Sequence, residues 1–145
     1  MKRALAALCL LPLTACSAEP DHVLGGRTWE VTAVYTDPDV PGAVLADAAG
    51  RALVVFGAES LTARTACAPL QAGAEIRDDT LRLKGVRVGD VREDCMGGSR
   101  RVHDQLTGLL TEGAEFDFTH LTDDVITLKL RSDALDRPTI KLVAQ

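Results

Sequence analysis

Glu75-Ile76-Arg77-Asp78-Asp79-Thr80-Leu81-Arg82-Leu83-Lys84 decides the fold class. Leu81 and Leu83 alternate with Arg82 and Lys84, so one side of this segment is apolar and the other charged. That is the period of a half-buried strand. Asp78-Asp79 supplies a turn, because aspartate side chains bond the local backbone amides that a turn leaves free. The segment therefore reads as a hairpin, and a hairpin makes its two strands antiparallel.

The same alternation recurs on both sides. Upstream, Arg27–Tyr35 puts Trp29, Val31, Ala33 and Tyr35 on one face, Arg51–Phe56 is a second strand, and Ser60–Thr65 runs into Cys67. Between the first two, Thr36–Gly42 carries two prolines that lack an amide donor and reads as a surface loop. Gly85–Gly89 adds a short strand. Downstream, Glu115–Thr119, Val125–Arg131 and Thr139–Val143 are strands, with turns at Asp123-Asp124 and Asp136-Arg137-Pro138.

Only one stretch departs from period two. Val102, Leu106, Leu109 and Leu110 fall at helical spacing and predict one helix with an apolar stripe. Ser99 is a reasonable N-cap although Arg100 and Arg101 oppose the helix dipole, and Asp94 is the alternative; Gly113 is the expected C′ stop. Six to eight short strands around one helix cannot alternate as βαβ units. The expected class is α+β: a curved, mainly antiparallel, half-barrel-like sheet of six to eight strands, its one α-helix covering a face or the open end.

The N-terminal segment gives the address. Lys2 and Arg3 precede an apolar run from Ala4 to Leu13, which is shorter than the roughly 20 residues that span a bilayer and reads as a signal h-region. Leu13-Thr14-Ala15-Cys16 closes it and resembles a bacterial lipoprotein signal, in which the cysteine is lipidated and becomes the new N-terminus. The expected division is 1–15 signal peptide, 16–23 lipidated tether and 24–145 folded domain. Two or three acyl chains make a stable anchor where one does not, so the expected location is extracytoplasmic, lipid-anchored to a membrane of the cell envelope.

The 145-residue chain carries a formal charge of −5, which becomes −7 once Lys2 and Arg3 leave with the signal. An acidic surface repels nucleic acid and anionic headgroups, so neither is an expected partner. With Cys9 removed and Cys16 lipidated, Cys67 and Cys95 remain. In an oxidising compartment such a pair reads first as a disulfide, closing 28 residues. Two free thiols holding a metal or reacting with a substrate form the competing reading, although no His or Cys stands at zinc spacing.

The order of these features resembles the META, or HslJ-like, domain of bacterial envelope proteins over about residues 24 to 145. The family's opening Leu-x-Gly-x-x-Trp is matched by Leu24-Gly25-Gly26-Arg27-Thr28-Trp29 with one residue of slack. Its Gly-Cys-Asn after a middle strand is matched by Ala66-Cys67-Ala68, and its Thr-x-x-Ala-Cys before the helix by Arg92-Glu93-Asp94-Cys95; Ala66, Ala68 and Asp94 depart from the pattern. The helix and Ile126–Leu130 also fall in family order. The resemblance implies a curved antiparallel sheet with one helix and, as in many members, a cysteine pair joining a strand to the helix start. It implies no enzymatic activity, and an association with envelope stress, drug tolerance or motility.

Catalytic and cofactor motifs are missing from the sequence. His22, His103 and His120 are not spaced with each other or with acids as a metal site or triad requires. His103 and Asp104 lie near the edge of the apolar stripe, where a solvated histidine outweighs a general base. Gly97-Gly98-Ser99 is no nucleophile elbow, and Asp37/Asp39, Asp78/Asp79 and Asp123/Asp124 read as turn residues. Trp29, Tyr35, Phe56, Phe116 and Phe118 read as core. The expected function is a non-enzymatic contact or stability role in the envelope, with an unknown envelope protein as partner. The alternative is a small hydrophobic or envelope-derived ligand on the concave sheet face; no catalytic residue, cofactor or metal is expected.

Overall fold

The computed structural model describes residues 23–145. The signal segment, Cys16, the tether up to residue 22 and His22 lie outside the described residues. The elements are β1 Thr28–Tyr35, β2 Ala52–Phe56, β3 Ser60–Thr65, β4 Pro69–Arg77, β5 Thr80–Val88, α1 Gly97–Leu109, β6 Glu115–Thr122, β7 Val125–Leu130 and β8 Thr139–Ala144. The fold is α+β as expected, with eight antiparallel strands and one helix. The sheet goes further than a half-barrel: β8 pairs with β1 and closes it.

Eight strands enclose a space that side chains can just fill. Leu61, Leu81, Leu83, Phe116, Ile126, Leu128, Ile140 and Leu142 occupy it at 0–1 % exposure. The expected hairpin forms with Arg77 opposite Thr80, and Asp78 takes φ +50°, a left-handed conformation that aspartate tolerates better than most residues. One end of the barrel holds the β2–β3, β4–β5 and β6–β7 turns together with the chain entry, where Gly25 bridges to Phe56. Trp29 is fully buried there and donates its indole N–H to Leu24 O at 3.1 Å.

The helix closes the other end. β6 pairs with β5 only at Thr80–Arg82, so the upper half of β5, paired with β4 on one side, lacks a strand neighbour on the other. Chain just beyond the helix satisfies that edge: Leu83 N–H donates to Ala114 O, Gly113 N–H to Leu83 O, and Val86 N–H to the Glu112 carboxylate at 2.9 Å. The Val86 amide foremost, and the Gly85 amide with it, hold the Glu112 carboxyl below its ordinary pKa. Val102, Leu106, Leu109 and Leu110 face the core, as the stripe predicts.

Several local expectations are corrected. β4 begins at Pro69, where no strand was expected, because its inward residues after Leu70 are the alanines Ala72 and Ala74, which carry little pattern. Gly85–Val88 continues β5 and is not a separate strand. Neither Ser99 nor Asp94 caps α1. Met96 is the N-cap without a side-chain bond, and Asp47, distant in sequence, accepts the Gly98 N–H at 2.8 Å. A Cβ at Gly98 would stand 2.1 Å from Asp47 Oδ1, so this approach requires glycine. Gly113 lies beyond the C′ position; its φ of +74° turns the chain into β6.

Tyr35 is also corrected, from core to surface, at 46 % exposure. The pairing of β1 with β8 slips between Val31 and Ala33, so Val34 faces inward and Tyr35 outward. A one-residue slip of this kind exchanges the two faces of a strand. Ala33 stays buried under the returning loop, whose Ala43 bridges to it, and the Tyr35 ring lies against Gly42.

Candidate functional site at the disulfide end of the barrel

β3 carries Thr65 inward to the barrel end beneath the helix, and the chain then turns through Ala66-Cys67-Ala68 into β4. Thr65 organises this turn. Its backbone N–H donates to Ala68 O at 2.9 Å, and its Oγ1 accepts the Ala68 N–H at 3.1 Å. Ala66 sits at φ +78°. An L residue there meets its own carbonyl through Cβ, a conformation that glycine adopts freely. This is the position at which the resembled family carries glycine.

Cys67 and Cys95 form a disulfide with their Cα atoms 5.5 Å apart. It ties the β3–β4 turn to the segment leading into α1, and Arg92 N–H to Cys67 O at 3.1 Å reinforces the link. Of the two readings open in the sequence, the crosslink holds and the free thiols do not. Closing 28 residues restricts the unfolded chain by roughly 3–4 kcal/mol on the chain-entropy account.

His103 is not solvated. It is 5 % exposed, and its Nδ1 lies 2.6 Å from Thr65 Oγ1. The stripe is wider than the aliphatic residues indicate, because the helix end is inserted in the barrel mouth: Gly98, Ser99, Val102, His103, Leu106 and Leu109 are all buried. The Thr65 hydroxyl has one proton; when Ala68 O receives it at 3.0 Å, Nδ1–H donates to Oγ1. His120 is exposed on β6 with its ring edge-on to Phe118, and the two histidines are not brought together.

The acidic pairs act as turn residues. Asp39 N–H bonds Asp37 Oδ1 at 2.9 Å, Asp124 N–H bonds Thr122 Oγ1 at 3.3 Å, and Arg27 pairs with Asp124. No group of three or more metal-ligating side chains occurs among the described residues. Asp117 is held by two arginines. Arg131 Nε donates to it at 2.6 Å and Arg137 at 3.2 Å, and the Arg131 bond foremost holds its carboxyl below the usual aspartate range.

Two open grooves mark the outside of this end. One, of about 630 Å³, lies between the 36–42 loop and the β7–β8 connection and exposes Tyr35, Val40 and Leu135. The other, of about 520 Å³, runs over the disulfide turn and is lined by Arg51, Arg64, Arg92 and Asp90 above Ala66–Pro69. Sequence reading missed the second groove because its arginines lie before β2, on β3 and between β5 and α1, and meet only in the fold.

No protein-family model matches the chain, and no curated protein matches it. Among solved structures, the chain is similar to an NMR structure of a protein from Burkholderia xenovorans, with TM-score 0.60 and 12 % identity over 100 % of this chain and 99 % of that one. A crystal structure of an uncharacterized protein from Bacteroides eggerthii aligns at TM-score 0.48 and 13 % identity, over 86 % of this chain and all of that one. The first likeness shows a shared barrel fold.

Proposed function

We propose that this chain is a lipid-anchored, extracytoplasmic domain of the bacterial cell envelope, of the META or HslJ-like kind, acting by contact with an envelope protein or as a stability element and not as an enzyme. The observation that carries the reading is the Cys67–Cys95 disulfide, since such crosslinks persist in oxidising compartments and are rare in the cytosol. The signal-like segment ending at Cys16 supports the same address. His103 is occupied in a structural bond with Thr65, which supports a scaffold role for this histidine. An apolar ligand on the concave face has no observation in its favour, because core side chains fill the interior.

The test is the mass of the native N-terminus together with fractionation. A diacylglyceryl Cys16 at the N-terminus, membrane recovery of the wild type and release of Cys16→Ser into the soluble envelope fraction are expected. An unmodified N-terminus at Met1 with the protein in the cytosol contradicts the proposal.

A further inference from the structure

We infer that the groove over the disulfide turn binds an oxyanion, a phosphate or carboxylate group presented from solution, through Arg51 and Arg64 with Arg87 and Arg92 beside them. The distribution of ion pairs carries this. Among the described residues, Arg27, Arg77, Arg82, Arg92, Arg100, Arg131 and Arg137 each hold a carboxylate. Arg51, Arg64, Arg87 and Arg101 hold none. Three of those four gather at one place: Arg51 and Arg64 line the groove, and Arg87 lines the adjoining hollow across Pro69.

The chain as a whole is acidic, so concentrated unpaired positive charge runs against its average. A guanidinium fork matches the two oxygens of a carboxylate or phosphate, and such charge-assisted bonds are about twice as strong as neutral ones. The groove volume lies within the range of small-molecule sites, roughly 300–1,000 Å³. Its floor, Ala66 to Pro69, offers small apolar surface to a carbon skeleton and includes the left-handed Ala66. Backbone strain of that kind gathers at ligand sites. Asp90 is the lone acid on the rim and suits a ligand that also carries a cationic group.

The source of the anion follows from the topology. The groove lies at the β3–β4 connection, whereas the chain enters the barrel beside Phe56 at the other end. On the anchoring reading proposed above, the chain leaves toward its anchor from the end opposite the groove, which favours a solution-borne anion over a lipid headgroup. The anion site itself stands on the barrel and not on the anchor.

The test is an amide NMR titration of the full chain in detergent with inorganic phosphate, pyrophosphate and citrate, and separately with phosphatidylglycerol vesicles. Saturable shifts confined to Ala66, Cys67, Ala68 and their neighbours are expected with at least one soluble anion; phosphate against citrate tells the two chemistries apart. Arg51→Gln/Arg64→Gln should weaken that binding by about tenfold or more, the loss of two charge-assisted bonds, while Arg101→Gln leaves it unchanged. Shifts that stay linear for all three anions, an equal loss in Arg101→Gln, or a response to vesicles alone overturns the inference. Should the double variant fail to fold, the wild-type titration and Arg64→Lys decide in the same way.

Discussion

Thr65 Oγ1 and His103 Nδ1 lie 2.6 Å apart in the interior, joining β3 to α1, while the disulfide at Cys67, two residues beyond Thr65, ties the same barrel end to the segment leading into α1. The helix is thus fixed to the barrel mouth by a polar contact and a crosslink together. A buried polar pair is stabilising only while both members are satisfied.

Thr65→Val keeps the shape and removes the hydroxyl. It strands the imidazole nitrogen and the Ala68 N–H, so urea unfolding should show a loss of about 2 kcal/mol. Thr65→Ser should restore most of it. Equal stability of Thr65→Val and wild type would show that His103 finds a partner elsewhere.

Ala66→Gly should gain stability. The left-handed conformation costs an L residue about 1–2 kcal/mol, and the greater freedom of glycine in the unfolded chain returns roughly 0.5–1 kcal/mol of that. A net gain of about 0.5–1 kcal/mol in thermal or urea unfolding is expected, whereas Ala66→Val should lose stability.

Much of this fold is legible in the sequence where large apolar residues alternate with charged ones. The hairpin at Asp78-Asp79, the strand through Ile126 and Leu128 and the helix through Val102 and Leu106 all stand out. The first half of β4 does not, because Ala72, Gly73 and Ala74 look alike to an alternation test. Closure is invisible as well, since the pairing of Trp29 with Ala144 joins the two ends of the barrel sequence. The burial of His103 depends on insertion of the helix into that closed barrel, and Arg51, Arg64 and Arg92 have no shared spacing to betray a common groove.

The pH response of Asp117 has a fixed sign. Its folded pKa is lowered, chiefly by Arg131, so its contribution to stability is complete above the ordinary aspartate value and is lost as pH falls through the lower folded value. Carbon-detected NMR should place Asp117 below the usual range in the wild type and nearer to it in Arg131→Gln. Stability should also fall less steeply in the variant below pH about 4. An identical titration in both proteins would rule out Arg131 as the cause.

The central claim is that Cys67 and Cys95 staple the barrel. Protein taken directly from cells, denatured in the presence of an alkylating reagent without reductant and mass-analysed, tests it most directly. The predicted result is that neither cysteine is modified until a reductant is added, after which both are. Alkylation of both cysteines without reductant in freshly denatured native protein would contradict it.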